Sequence, residues 1–374
     1  MPRLHYLDNL RWLCILLLFP VHASVVFSAG WYGYYVLSGY SSPAALCFIV
    51  SVMPWLMPLL FCIAGISAKF ALEKRPPAVY LKERVVKLLV PFLAGLVLLC
   101  PVLAYFGMKS NLGYTGSFFD AFLHFFGTWN NIRDPTGFTG DFDYGHLWFI
   151  LWLFVISVAA LGLILLSRKI KITPLRPGSV GLPALILLFI PLWLLNRIGD
   201  DISGYTLASY FCMFLIGYSL LSMDPVLAKL ETYWAVLLAA YAILMLGMIA
   251  IGGGVMEGGL TMDELIASPY PVFTGWIGVL ALLGAGRHLL DFTNRFAAYL
   301  GAASYPVYII HAPILVAVAF YVVMLKIPPG LQFALIVVLS LLLTFACYEI
   351  LRRVPGVRVL FGIPGPRTTP ASPH

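Results

Sequence analysis

The chain has 374 residues, of which 61% are hydrophobic and only 10% are charged, and its formal net charge is +7. Its mean hydropathy is +0.94. Because soluble domains carry about 25% charged residues, this composition excludes a soluble globular protein and is typical of a chain embedded in a lipid bilayer.

Ten apolar blocks follow one another along the chain. Each has about the 20 residues that a helix needs to cross a hydrocarbon core of roughly 30 Å. The blocks lie at 11–29, 43–68, 88–107, 146–167, 180–196, 205–222, 232–252, 269–286, 296–323 and 331–351. We therefore predict an all-α integral membrane protein whose residues 1–362 form one bundle of about ten transmembrane helices. The polar, proline-rich residues 363–374 predict a disordered cytoplasmic tail.

The distribution of Lys and Arg predicts the orientation, since cytoplasmic loops of membrane proteins carry an excess of these residues. With the N-terminus inside, 19 of the 23 basic residues fall in inner segments. The outer segments hold only Lys109, Arg133, Arg197 and Lys326. We therefore predict that both termini are cytoplasmic. This bias accounts for the net positive charge, so no nucleic-acid partner is expected.

One outer connection, at 108–145, is long and rich in aromatic residues. Loops of this length are commonly functional or disordered, and the aromatic content favours order. We predict a partly ordered cap or re-entrant segment on the outer face.

Arg11 and His22 are the most informative polar residues, because ionisable side chains inside membrane helices indicate functional sites. They are eleven residues apart in one apolar block, which places them within roughly 20° of one helix face and about 16 Å apart along the axis. This arrangement suits a long ligand, such as acyl-coenzyme A, with its anionic head inside and its reactive end buried. The alternative is an interfacial arginine and a packed core histidine.

A second basic cluster lies in the inner segment 69–87. Arg84 and Lys87 are three residues apart at the start of the third block, so a helix would place them on one face. Together they could bind phosphates, the arginine through its planar guanidinium and the lysine as a point charge. The alternative is ordinary anchoring at the inner surface.

Two further histidines are second-rank candidates for the site. His146 opens the fourth block at the outer surface, and His311 lies in the ninth block. Tyr308 precedes His311 by three residues, so on a helix it could form a hydrogen bond with the histidine side chain.

Two possible ion pairs complete the polar candidates. Asp8 precedes Arg11 by three residues and could pair with it. Glu349, followed by Arg352 and Arg353, ends the last block, and we interpret this group as structural.

Seven segments, in the same order, resemble the bacterial membrane acyltransferase-3 family and span nearly the whole chain. They are YLDNLRWLCILLLFPVH at 6–22, LLFCIAGISAKFAL at 59–72, ERVVKLLVPFL at 83–93, HLWFIL at 146–151, FLIGY at 214–218, ASYPVYIIHAPI at 302–313 and YEILRRVPGVRVLF at 348–361. The first holds the family's Arg-x10-His pattern as Arg11 and His22. Within the family, the chain resembles the glucan-biosynthesis succinyltransferases that modify periplasmic glucans.

The resemblance implies a multi-pass protein of the bacterial inner membrane that takes acyl-coenzyme A from the cytoplasm and acylates a sugar hydroxyl on the outer side. No metal or prosthetic group is expected. By the same resemblance, Arg11, Arg84 and Lys87 hold the coenzyme phosphates. His22 acts as general base or accepts the acyl group, and His311 is the second catalytic candidate.

Two positions depart from the family pattern. Lys87 stands where the family often has a second arginine, and Ala64-Gly65 replaces the usual Ser-Gly. The first change keeps the charge but loses a bidentate donor.

Two other functional classes remain open. A secondary transporter for an anionic solute would line its pathway with the same polar residues, although the sequence lacks the visible repeat with matched broken helices that transporters often show. A noncatalytic partner in a glycan export complex is the third interpretation. Walker loops, dinucleotide-binding glycine patterns, paired-cysteine metal motifs and GxSxG motifs are absent from the sequence.

Overall fold

The computed structural model describes residues 4–28, 34–129, 139–170, 180–199, 201–202, 204–256 and 267–363. Within these ranges the protein is almost entirely helical, which confirms the all-α membrane class. The two strands of these ranges, β1 (Asp201–Ile202) and β2 (Tyr205–Thr206), form one antiparallel hairpin. Residues 364–374 of the predicted tail lie outside the described residues, as do the centre of the predicted outer cap and most of the inner segment that begins at 168.

The helices of the described ranges are, in chain order, α1 (His5–Val26), α2 (Pro43–Lys74), α3 (Pro77–Arg84), α4 (Val90–Leu98), α5 (Cys100–Asn111), α6 (Phe118–Gly127), α7 (Trp148–Lys169), α8 (Leu182–Leu187), α9 (Phe189–Leu195), α10 (Leu207–Ser219), α11 (Asp224–Thr232), α12 (Trp234–Met256), α13 (Tyr270–Leu289), α14 (Arg295–Val322), α15 (Pro329–Leu351) and α16 (Val357–Leu360). A π-helical turn (Val85–Leu89) joins α3 to α4, and a 3₁₀ turn (Gly145–Leu147) precedes α7.

Eight of the ten predicted blocks form helices that are long and apolar enough to cross a membrane. Seven of these spans are α1, α2, α12, α13, α14, α15, and α7 with its 3₁₀ turn, and the eighth is the continuous run Pro77–Asn111.

The fifth and sixth blocks are helical but take other forms. The fifth is split between α8 and α9, because Pro191 has no N–H to donate to the carbonyl of Leu187, where α8 ends. The sixth forms α10, after which the chain bends by 102° into α11. If this bent pair is one span, the described residues hold nine.

Close packing of small residues joins α2 to α10. A Cβ atom on Gly65 would overlap the carbonyl oxygen of Phe214, and a Cβ atom on Gly217 would overlap that of Cys62. Only glycine allows such an approach between helix backbones, which is a common way to pack helices in membranes. The glycine of the Ala64-Gly65 pair therefore has a structural reason.

α1 contacts four other membrane helices, α2, α13, α14 and α15. Both ends of the candidate site lie on this helix.

Candidate active site

Arg11 lies near the start of α1 and has two partners. Its guanidinium donates to the Asp8 carboxylate at 2.8 Å and to the hydroxyl of Ser67 on α2. The predicted pairing with Asp8 is therefore present. Both side chains of the pair are only partly buried, and both line a cavity.

The cavity has a volume of about 850 Å³ and lies at the end of the bundle where α1 begins. Five basic and three acidic side chains contribute to its walls. The lining residues are Leu4, Tyr6, Leu7, Asp8, Arg11, Ser67, Phe70, Ala71, Lys74, Arg75, Arg84, Ser222, Asp224, Leu227, Arg287 and Asp291. We call this the basic cavity. An excess of cations in a partly enclosed space is suited to an anionic group.

Arg84 and Lys87, predicted as a pair, have different surroundings. Arg84 lines the basic cavity, its guanidinium stacks over the ring of Tyr80 at 4.7 Å, and its buried Nε has no hydrogen-bond partner among the described residues. The Lys87 ammonium is exposed, lies 3.6 Å from Glu83, and is not among the cavity-lining groups of the described structure.

The π-helical turn that begins after Arg84 explains this separation. Pro91 cannot donate to the carbonyl of Lys87, and the hydroxyl of Tyr305 on α14 donates to that carbonyl instead, at 2.5 Å. A π turn has more residues per turn than an α-helix, so the side chain of Lys87 does not point in the same direction as that of Arg84.

Arg287 is a cavity residue that the sequence interpretation missed. Its guanidinium lies 2.8 Å from both Asp224 and Glu231. Nothing in the sequence around it marks it, because its acidic partners lie on another helix, α11.

Three histidines converge at the other end of the polar face of α1. The ring centroid of His22 lies 5.3 Å from that of His311, and His311 lies 5.2 Å from His146. They come from α1, α14 and the 3₁₀ turn before α7, and His146 and His311 are almost completely buried. The sequence ranked these two residues second; the structure places them beside His22.

A proline in α14 fixes the position of His146. Pro313 cannot donate to the carbonyl of Ile309, and His146 Nε2 lies 2.7 Å from that oxygen. Since a carbonyl only accepts hydrogen bonds, His146 carries its proton on Nε2. The hydroxyl of Tyr308 donates to the backbone carbonyl of His146 and holds the same turn.

His311 is fixed in a similar way by its own helix. Its Nδ1 lies 2.5 Å from the backbone carbonyl of Tyr308, so Nδ1 carries the proton. The predicted hydrogen bond between Tyr308 and His311 is therefore made by the backbone carbonyl of Tyr308. The Tyr308 hydroxyl is not available for it, because this hydroxyl donates to the backbone carbonyl of His146.

Two nitrogen lone pairs remain in this histidine cluster. His146 Nδ1 and His311 Nε2 are buried and have no hydrogen-bond partner among the described residues. Buried polar atoms are almost always hydrogen-bonded, so two free acceptors at one place indicate a site for groups that donate hydrogen bonds. No set of three or more His, Cys, Asp or Glu side chains in the described ranges has an arrangement that could hold a metal ion.

The basic cavity and the histidine cluster are separated by packed side chains. Arg11 is the last α1 residue that lines the cavity. Ile15, Leu18 and Phe19, which follow it toward His22, are buried, and Phe19 contacts the ring of His311 edge-on. Among the described residues, none of the three histidines lines the basic cavity.

Tyr34 completes the surroundings of His22. Its hydroxyl lies 3.3 Å from His22 Nδ1 and the two rings are stacked, with their centroids 6.0 Å apart. The sequence interpretation did not single out Tyr34, because one tyrosine in an aromatic-rich outer segment carries no signal.

Glu349 lies apart from both regions. It forms ion pairs with Arg352 at 2.8 Å and Arg353 at 3.5 Å, and it accepts a hydrogen bond from Tyr299. Through the Tyr299 contact this group ties the end of α15 to α14.

The model of one protein family, described as an acyltransferase domain, matches residues 4–349. Neither the curated proteins nor the solved structures that were searched gave a match. Since the family match covers nearly the whole chain, the protein belongs to the acyltransferase-3 family and has, in general terms, the activity of a membrane acyltransferase.

Proposed function

We propose that this protein is an O-acyltransferase that moves an acetyl- or succinyl-type group from cytoplasmic acyl-coenzyme A to a hydroxyl of an extracytoplasmic glycan, in the inner membrane of a bacterium. The observation that carries the proposal is the polar face of α1. Arg11 lines the basic cavity at one end of this face, and His22 joins the histidine cluster at the other.

The donor fits this face by charge and by length. Acyl-coenzyme A carries its phosphates at one end and its thioester at the other. Arg11, Arg84 and Arg287 would bind the phosphates in the basic cavity, and Lys87 would add a screened positive charge outside it. The thioester arm would cover the distance of about 16 Å along α1 to His22. Ile15, Leu18 and Phe19 would have to move aside for this arm.

His22 would act as general base at the far end of that arm. It would take the proton of the acceptor hydroxyl as the hydroxyl oxygen attacks the thioester carbonyl. The carbon–sulfur bond would break, and the coenzyme A thiolate would take up the proton. The products are an ester and free coenzyme A. The lone pair of His311 would accept a hydrogen bond from the reacting group.

The proposed sidedness places the basic cavity in the cytoplasm and the segment before Gly145 outside. It rests on the inside bias of Lys and Arg. Single cysteines at Lys74 and at Asp141, in a background without the six native cysteines, should react with an impermeant thiol reagent from opposite sides of the membrane. Reaction of both from the same side would overturn the orientation.

The central experiment follows the donor. Purified protein in vesicles is mixed with acetyl- or succinyl-coenzyme A labelled in the acyl group, together with a short β-linked glucose oligosaccharide. We expect free coenzyme A and a labelled sugar ester to appear together. A secondary transporter would move an anionic solute and release no coenzyme A, and that result would refute the proposal.

A further inference from the structure

The outer segment that contains Tyr34 is attached to the bundle by two sets of hydrogen bonds. The amide of Asn111, at the end of α5, donates to the backbone carbonyls of Tyr34 at 3.1 Å and Tyr35 at 3.2 Å. The hydroxyl of Tyr35 donates to the buried carboxylate of Asp143 at 3.0 Å. These bonds hold the backbone that carries the Tyr34 ring beside His22.

Both phenols stay protonated. Burial raises the pKa of Tyr34 above its ordinary value, and burial together with the nearby Asp143 carboxylate does the same for Tyr35. A neutral phenol has a hydroxyl oxygen that can accept a hydrogen bond as well as a proton that can be donated. The hydroxyl oxygen of Tyr34 can therefore accept a hydrogen bond from the Nδ1–H group of His22.

We infer that Tyr34 is a positioning residue that holds His22 with its proton on Nδ1 and its Nε2 lone pair free. The contact that carries the inference is the 3.3 Å approach between the Tyr34 hydroxyl and His22 Nδ1, supported by the stacking of the two rings. In a neutral imidazole only one nitrogen is protonated, and the partner of one nitrogen determines the state of the other. The significance for catalysis rests on the proposed role of His22 as general base.

The same logic governs all three histidines of the cluster. His146 and His311 have their protonated nitrogens fixed by carbonyl groups. His22 has a phenol instead, and this phenol comes from an outer loop. We therefore assign Tyr34 to the outer, acceptor side of the site, where it orients the base without touching the donor cavity.

The test measures the protonation of His22 directly, by nitrogen NMR of the full-length protein in vesicles with ¹⁵N-labelled histidine. A His22→Gln variant identifies the His22 signals by their loss. In the wild-type protein we expect a protonated Nδ1 and an unprotonated Nε2. In Tyr34→Phe we expect a shift of the population toward protonated Nε2. Tyr40→Phe, an exposed tyrosine of the same outer segment, is the matched control and should leave the signals unchanged.

Turnover of acetyl-coenzyme A with the glucose oligosaccharide gives the second measurement. Tyr34→Phe should lower kcat about tenfold, the effect of one hydrogen bond, and leave the KM for the donor unchanged. A wild-type His22 protonated on Nε2, or a Tyr34→Phe protein with an unchanged His22 spectrum, would overturn the inference. If the wild-type protein released no coenzyme A, the proposed function would fail, while the spectra would still decide the role of Tyr34.

Discussion

The basic cavity and the histidine cluster are two ends of one helix face, and their surroundings differ in kind. The cavity is large, and several cations with exposed or half-exposed partners share its walls. In the cluster, His146 and His311 are buried and His22 is partly buried, and two nitrogen lone pairs lack hydrogen-bond partners among the described residues. The first arrangement suits the binding of a charged, solvated group, and the second suits a reaction that must exclude water.

This difference determines how each region should respond to mutation. Charges that face solvent are screened, and several together share the binding of one anion, so the loss of one should have a graded effect. Buried polar groups have no water to replace a lost partner. Changes in the cluster should therefore be steep and should affect the chemical step.

The largest effect is expected for His22→Ala. Loss of a general base typically lowers the rate by about 10²–10⁴-fold, and we expect a fall of this size in acyl transfer measured as coenzyme A release. The imidazole of His22 is only partly buried, so the variant should still fold and insert.

His124→Ala is the matched control for that measurement. His124 is a half-exposed histidine on α6 that is bonded to Asp141 at 2.9 Å, and it lies outside both regions. Its variant should keep wild-type turnover. Near-normal turnover by His22→Ala would remove His22 from the mechanism.

The two regions were not equally predictable from the sequence. The apolar blocks gave the spans, because hydrophobic length is a local property. The Arg11–His22 face was also predictable, since both residues lie on one helix whose period is known. The positions of His146 and His311 beside His22 depend on how three segments that are distant in sequence pack together. The spacing of residues along the chain does not predict this packing.

Prolines caused the main local departures from prediction. The π turn opposite Pro91 separated Arg84 from Lys87, and the break before Pro191 divided the fifth block. In each case the position of the proline was visible in the sequence. The sequence did not show which side chain would donate a hydrogen bond to the carbonyl that each proline leaves unpaired. For the carbonyl of Lys87, that side chain is Tyr305.

The next largest effect tests the cavity through Arg11. If Arg11 binds a donor phosphate, it acts alike in the ground state and the transition state, so its loss should raise KM and largely preserve kcat. A charge-assisted contact contributes about 1.5–3 kcal/mol, so Arg11→Gln should raise the donor KM roughly ten- to a hundredfold. Arg11→Lys should recover part of this, because it keeps the charge but loses the planar fork.

Asp8→Asn distinguishes this role from a structural ion pair, since Asp8 and Arg11 are in direct contact. If the pair only holds α1 in place, Asp8→Asn should do as much damage as Arg11→Gln. Initial rates against donor concentration, at fixed acceptor, decide between the two. An unchanged donor KM in a folded Arg11→Gln protein would exclude the phosphate-binding role.

The smallest expected effect is the difference in donor KM between variants of Arg84 and of Lys87. This difference also tests where the basic cavity ends. The two residues are three apart in sequence and carry the same charge, but only Arg84 lines the basic cavity in the described structure. The stacking of its guanidinium on the ring of Tyr80 holds it there. Lys87 extends toward Glu83 and solvent, where ion pairs contribute little. Arg84→Gln should therefore raise the donor KM about tenfold, near the lower end for a charge-assisted contact.

Lys87→Gln is the matched variant, because it removes an equal charge from the same segment. Its donor KM should rise less than about fivefold, and that rise should vanish at high salt, as expected for an exposed charge. The Arg84→Gln effect should persist in salt, because the guanidinium is stacked and partly enclosed. Equal effects of the two variants at low and high salt would mean that the donor phosphates extend past the cavity to the exposed side of the π turn. The assignment of Arg84 to the phosphate-binding cavity and of Lys87 to the surface outside it would then be wrong.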